Sequence, residues 1–176
     1  MTRPPDGRIR PAQLTDHPAV CAAEQAAGKL FLDYDLVRIA EDEPVDAASF
    51  RAHVEAGSAY VWEVDDVVVG YLLLRTVDDS AHIEQVTVHP QSARRRIGAA
   101  LVDFAETWAR RRGLAALTLT TFTEIPWNGP YYRRLGFTEV AAADQGPELA
   151  AQVEHEASLG LTVRPRAAMR RELGLR

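Results

Sequence analysis

The sequence predicts a mixed α+β fold in one domain, a sheet of about seven strands flanked by about four to five helices. Three observations carry that prediction. Two apolar, β-rich runs, "SAYVWEV" and "VVVGYLLLRTV", are separated only by Asp65 and Asp66, the length and chemistry of a tight hairpin turn. From Arg95 to Arg112 the residues Ile97, Ala100, Leu101, Phe104, Ala105 and Trp108 recur at helical spacing, and Gly113 supplies the stop. Strand-like and helix-like segments alternate along the chain with no internal repeat, low-complexity tract or linker, which favours one domain over 1–176.

Taken in order, a loose leader over residues 1–8 precedes "RIRPA", a brief first strand. "LTDHPAVCAAEQAAGKLF" follows as a helix with Thr15 or Asp16 as its cap. "LDYDLVRIAEDEP" is acidic, lacks a clear period and ends at Pro44, so it is expected as a loop or broken helix. "VDAASFRAHVEAG" makes a short helix stopped by Gly57, and the hairpin comes next. "DDS" turns the chain into the strand "AHIEQVTVHP", ended by Pro90. On that strand His82, Glu84, Val86 and Val88 share one face, while Ile83, Gln85, Thr87 and His89 share the other. After the long helix come the strand "AALTLTT", a short helix in "NGPYYRRLG" started near Asn128 and Pro130, and the strand "FTEVAA". The tail from Gly146 holds a helix, "PELAAQVEHEASLG", and a final strand, "TVRPRAAMRREL".

The 176 residues, 47% hydrophobic and 26% charged, suffice for one sizeable core. A net charge of -5 argues against bulk nucleic-acid binding and leaves only a local basic patch at Arg94, Arg95 and Arg96. Cys21 is the only cysteine, so no internal disulfide can form and no metal site can draw on paired thiolates. No metal is expected, and a reducing cytoplasm is the simplest home. The N-terminus has no apolar signal region, and no stretch reaches the roughly 18 apolar residues of a membrane span, so a protein neither secreted nor embedded in a membrane is expected.

The stretch "VTVHPQSARRRIGAAL" sets Arg94, Arg95 and Arg96 at the expected first turn of the long helix. Cations there are opposed by the helix dipole by roughly 0.3 to 1 kcal/mol each at exposed sites. An anion bound at the same helix end would reverse that sign, because a strand running into such a turn presents free backbone N–H groups to a phosphate. Backbone amides from Arg95 to Ala99, with Gly98 permitting close approach, form such a cradle; a solvated basic run is the plain alternative. A P-loop nucleotide hydrolase does not fit: the chain lacks G-x-x-x-x-G-K-[ST], and its single lysine, Lys29, lies far from this turn in sequence.

This stretch, followed some thirty residues on by "NGPYYRRLGF", resembles the GNAT superfamily of acetyl-CoA-dependent N-acetyltransferases. The first segment is similar to the family's signature Gln/Arg-x-x-Gly-x-Gly/Ala in its strand, proline, helix and last glycine, Gly98; the second is similar to its Asn...Tyr-x-x-x-Gly-Phe segment. Ala93 stands where the signature has Gln or Arg, and Arg96 where it has its first Gly. Side-chain changes are compatible with a backbone cradle as long as the turn keeps its geometry. The element order from Ile9 to Leu173 agrees, so the resemblance covers nearly the whole chain, with 84–137 as the cofactor-binding and catalytic half.

The resemblance implies a mostly antiparallel, twisted sheet splayed in the middle. It also implies that the pantetheine arm of acetyl-CoA bonds to the backbone of Val86 and Val88 and its pyrophosphate to the amides of Arg94, Arg95, Arg96, Ile97, Gly98 and Ala99. Tyr132 takes the acid's position, four residues before Gly136, and a phenol of pKa about 10 suits a leaving thiolate of roughly 8 to 9. Tyr131 is its rival. Glu84 is the base expected to take the amine's proton, with His82 as the alternative. Asn128 either bonds the pantetheine or caps the short helix. Trp127 lines the acceptor pocket or fills core. Asp33, Asp35, Glu41, Asp42 and Glu43 fall where the family builds its acceptor wall and would favour a cationic amine, or else simply solvate a loop.

Two functions are therefore open: transfer of acetyl from acetyl-CoA to a primary amine of a small molecule or peptide, and a non-catalytic acyl-CoA-binding module of the same fold. The acceptor's identity is not legible, because fold does not specify it. The final strand and the hairpin edge at Val67 to Leu74 offer surfaces through which a homodimer could pair.

Overall fold

Asp65 and Asp66 both hold left-handed backbone, at φ 48° and φ 63°, as a two-residue hairpin turn requires if its twist is to match the paired strands. They join β2 (Ala59–Val64) to β3 (Val67–Val77). The register passes from Val64↔Val67 and Glu63↔Val68 to Trp62↔Gly70, which leaves Val69 as the extra residue of a bulge. The computed structural model describes residues 6–174. Asp78, at φ 50°, turns the chain from β3 into β4 (Ser80–Val88). With β1 (Arg8–Pro11), β5 (Ala116–Phe122), β6 (Thr138–Glu139) and β7 (Arg166–Glu172), these form a seven-stranded sheet in the order β1-β2-β3-β4-β5-β7-β6.

The pairs β1–β2, β2–β3, β5–β7 and β6–β7 are antiparallel, whereas β4–β5 is parallel. That parallel pairing joins Ser80–His82 to Ala116–Thr118, although β4 runs on to Val88 and β5 to Phe122. Six α-helices flank the strands among the described residues: α1 (His17–Gly28), α2 (Val37–Ala40), α3 (Ala47–Glu55), α4 (Ile97–Arg111), α5 (Gly129–Arg134) and α6 (Pro147–Ser158). The helix beyond the expected four to five is α2, a single turn that follows a 3-10 stretch over Lys29–Tyr34. The segment is thus a broken helix, with Asp35 at φ 58° as the break.

Two compact units divide the chain: one holds the residues up to Leu74 with Gln85–Phe104, the other Arg75–Glu84 with the chain from Ala105 on. The first packs Val20, Phe50, Val61, Tyr71 and Leu73 into a core. Asp46 caps α3, its Oδ1 accepting the N–H groups of Ala48 and Ser49 at 2.9 Å. In the second unit Val77, Leu149 and Ala168 form a core cluster. The Asp78 carboxylate accepts the N–H groups of Glu148 and Leu149 at 3.1 Å, so the β3–β4 turn caps α6. Gly146 permits this: a Cβ there would lie 2.4 Å from that carboxylate.

Several local expectations are corrected. Residues 1–5 of the expected leader lie outside the described residues. Asp6 is held by Trp62, whose Nε1 donates to the Asp6 carbonyl at 3.0 Å, and Arg8 already belongs to β1. Asp16 does not cap α1; its carboxylate accepts from the Gln13 N–H at 2.8 Å and from both Nη atoms of Arg10, which fixes the chain between β1 and α1. The strand expected in "FTEVAA" is only Thr138–Glu139, because the chain turns into a 3-10 stretch at Ala142–Asp144. The final strand starts at Arg166 rather than Thr162, since Leu161–Val163 forms a 3-10 turn and Pro165 has no N–H to give a ladder.

Candidate active site

In the first unit, α4 begins at Ile97, so the three arginines precede the helix instead of forming its first turn. Pro90–Ser92 makes a 3-10 turn after β4, and the chain then passes through Arg94 at φ 63° and Arg96 at φ 62°. Each left-handed residue costs roughly 1 to 2 kcal/mol unless it is glycine. Arg96 therefore takes the conformation of the glycine it replaces, at an energetic cost. The Arg96 carbonyl accepts the Ala100 N–H at 3.0 Å, so the N–H groups of Ile97, Gly98 and Ala99 lie ahead of the helical ladder. Ile97 is buried and anchors the turn, while the side chains of Arg94, Arg95 and Arg96 are exposed. Backbone donors at the positive end of a helix of 15 residues, beside three cations, fit a pyrophosphate. Val86 and Val88, half-buried on β4, precede this turn on the same strand.

In the second unit β4 carries His82 and Glu84, and their environments differ. His82 is 1% exposed, and its Nδ1 lies 3.0 Å from the Thr118 hydroxyl. Burial, and next the charge of Arg75, push its pKa down to about 4, so its ring is neutral at physiological pH. A ring so enclosed exchanges protons through its neighbours rather than by touching an acceptor amine. Glu84 is open, its side chain 41% exposed, and pairs with Arg75 Nε at 3.3 Å. Equal residue spacing on one face thus produces one buried group and one accessible one.

Tyr132 sits in α5, half-buried, its ring 5.7 Å from Phe137 and 5.5 Å from Tyr131 in edge-to-face arrangements. Loss of hydration, and then the neighbouring Tyr131, raise its phenol above the usual tyrosine pKa, so the hydroxyl keeps its proton at physiological pH. The start of α5 is fixed by Gly129, where a Cβ would meet the Thr123 carbonyl at 2.6 Å. Asn128 occupies the N-cap position without a side-chain capping bond; its Oδ1 accepts the Thr121 hydroxyl at 3.1 Å instead. The capping alternative for Asn128 is thereby overturned. Trp127 is half-buried.

Asp33, Asp35, Glu41, Asp42 and Glu43 are all exposed in the broken-helix segment of the first unit. No group of three or more His, Cys, Asp or Glu able to hold a metal occurs among the described residues. No helix among them is long and apolar enough to cross a membrane. Sequence reasoning missed the polar chain that joins Arg75 and Glu84 to Gln152, Glu156, Thr120 and Arg166. Two signals in the sequence pointed to it: Thr118 and Thr120, two residues apart on one face of β5, and the i, i+4 pair Gln152 and Glu156 on α6.

Residues 25–137 match the acetyltransferase (GNAT) family. The fold is similar to that of the PaiA N-acetyltransferase from Thermoplasma acidophilum in complex with coenzyme A, at 14% identity and a TM-score of 0.70, covering 94% of this chain and 98% of that one. It is similar to the ribosomal-protein-S18-alanine N-acetyltransferase of Escherichia coli, at 17% identity and a TM-score of 0.66, covering 97% and 96%. An acetyltransferase of the GNAT family from Staphylococcus aureus matches at 12% identity and a TM-score of 0.73, covering 95% and 99%. Identities this low show a shared fold and leave the acceptor unspecified.

Proposed function

Because this chain belongs to the GNAT acetyltransferase family, whose co-substrate is acetyl-CoA, we propose that it moves the acetyl group to a primary amine of a small molecule, peptide or protein. The observation that carries the reading is the turn at Arg94 and Arg96, which keeps the left-handed geometry although neither residue is glycine. Retention of a strained turn ahead of exposed helix-end donors supports a function for those donors. The pyrophosphate is held by the amides of Arg94 to Ala99 with help from the three guanidinium groups, and the pantetheine by backbone groups of Val86 and Val88.

Acetyl transfer proceeds by direct attack in a ternary complex. The neutral amine nitrogen attacks the thioester carbonyl, the C–N bond forms, and the C–S bond breaks with its electron pair going to sulfur. Glu84 accepts the proton lost by nitrogen. Tyr132 donates its phenolic proton to the departing thiolate; its raised pKa keeps the phenol protonated until then, and its position four residues before Gly136 is what supports the role. His82, enclosed and neutral, supports the strand next to Glu84 and joins proton movement only through neighbours.

Calorimetric titration of acetyl-CoA into the wild type and Arg95→Glu, followed by thiol release over a panel of amino acids, polyamines and peptides with free N-termini, tests this. Saturable binding, weakened roughly 3- to 10-fold by the charge reversal at 0.15 M salt, is expected together with thiol release for one class of amine. Binding without turnover of any amine would favour the non-catalytic acyl-CoA module. No binding would withdraw both readings.

A further inference from the structure

The second unit contains a polar chain whose donors and acceptors fit in only one direction. Glu156, with a side chain 13% exposed, accepts the Thr120 hydroxyl at 2.7 Å and the Gln152 Nε2 at 2.8 Å on Oε1, and the Arg166 Nη2 at 3.1 Å on Oε2. Three elements, β5, α6 and β7, thus converge on one carboxylate. An ionised carboxylate only accepts, so Gln152 must turn its NH2 group towards Glu156. Its Oε1 is then left facing the other way, where it accepts from Arg75 Nη2. With one edge of its guanidinium fixed by Gln152, Arg75 places its buried Nε 3.3 Å from Glu84 Oε2, an ion pair in which that N–H makes no hydrogen bond. Arg75 and Glu84 are each 41% exposed, in contrast to the enclosed Glu156–Arg166 anchor behind them.

We infer that Arg75, oriented by Gln152 from α6, is the positioning residue for Glu84: its cation draws that carboxylate to one side and keeps it ionised as the pH falls. The inference rests on Glu84 being the proton acceptor of the proposed reaction. A guanidinium can bond Gln152 with one nitrogen while bringing its charge to Glu84 with another, which a lysine ammonium with its single nitrogen does not. The ion partner of Glu84 in this chain is Arg75 from β3, while Arg75, Glu84 and Glu156 all act on the neighbouring His82. His82 is neutral there, and Glu156 is paired with Arg166, so Arg75 is the cation that the polar chain brings to Glu84. The helix inserted between β6 and β7 is therefore linked to the chemistry through two side chains, Gln152 and Arg75.

The test is a pH titration of side-chain carboxyl carbons by 13C NMR, with Glu84 assigned by its loss in Glu84→Gln. In Arg75→Met the Glu84 midpoint is expected to rise by about one pH unit, since the removed cation had favoured the charged form. Arg75→Lys should recover most of that shift while kcat stays about tenfold low, because charge returns without the fork. Gln152→Leu leaves Arg75 charged but unaligned, and should lower kcat several-fold with KM for acetyl-CoA unchanged; it also serves if Arg75→Met does not fold. A Glu84 midpoint unmoved in Arg75→Met, or in Gln152→Leu a kcat equal to wild type, overturns the inference while thiol release continues to support the acetyltransferase. A midpoint that moves in a protein whose Glu84→Gln variant keeps full turnover overturns Glu84 as base, and the positioning role falls with it.

Discussion

Arg94 and Arg96 hold the same left-handed backbone, at φ 63° and φ 62°, on either side of Arg95. Relief of that strain at Arg96 by Arg96→Gly should stabilise the protein by about 1 kcal/mol, a rise in Tm of about 2–4 °C for a chain of this size. Part of the gain is offset by the greater freedom of glycine in the unfolded chain. Arg95→Gly removes the same charge without relieving a positive φ and should leave Tm unchanged or lower. Arg96→Val, β-branched in a left-handed position, should lower it. Scanning calorimetry of the three variants decides: equal shifts for Arg96→Gly and Arg95→Gly would mean that charge, not backbone strain, governs this turn.

Tyr132 and Tyr131 can be separated kinetically. Tyr132→Phe should lower kcat by roughly 100-fold or more with acetyl-CoA affinity unchanged, as for loss of a proton donor. Tyr131→Phe should stay within a few-fold of wild type. The raised pKa of Tyr132 places its ionisation above the ordinary value of 10.0, so kcat should show no alkaline decline attributable to this group at pH 7 to 9. The reverse ranking of the two variants would make Tyr131 the acid.

His82 makes folding pH-dependent in a defined direction. Its folded pKa is about 4 against an ordinary 6.5, so below pH 6.5 the unfolded chain takes up a proton that the folded protein refuses. Stability is therefore lost as pH falls from about 6.5 towards 4, and the part due to His82 is about 2 kcal/mol between pH 7 and pH 5. Urea unfolding at the two pH values should show this difference in the wild type and lose most of it in His82→Asn. The same acid sensitivity in that variant would move the cause elsewhere.

Much of the fold was legible because local rules govern it. Asp65 and Asp66 announce a two-residue turn by their tolerance of positive φ, and the structure closes the hairpin there. The apolar spacing of Ile97, Leu101, Ala105 and Trp108 marks the buried face of α4, and all four are buried. The helix start was misplaced by two residues for an equally local reason: sequence spacing does not reveal that Arg96 leaves the helical region of φ.

The candidate site divides along the same line. Alternation along β4 determined from sequence alone that His82 and Glu84 share a face, because strand side chains repeat every two residues. What covers that face was decided only by tertiary structure: the approach of β5 encloses His82 against Thr118, whereas Glu84 remains open and meets Arg75. Asn128 was recognisable as a residue at the start of α5, yet its partner, Thr121, comes from the preceding strand. Gln152 and Glu156 share an i, i+4 spacing, but nothing in the sequence ties them to Arg75, whose hydrogen bond to Gln152 spans 77 residues of chain. Sequence by itself determined the family and most of the elements, through motifs, periods and turn chemistry a few residues long. The protonation state of each candidate group was left to the tertiary structure, because burial and neighbouring charge are sums over residues distant in the chain.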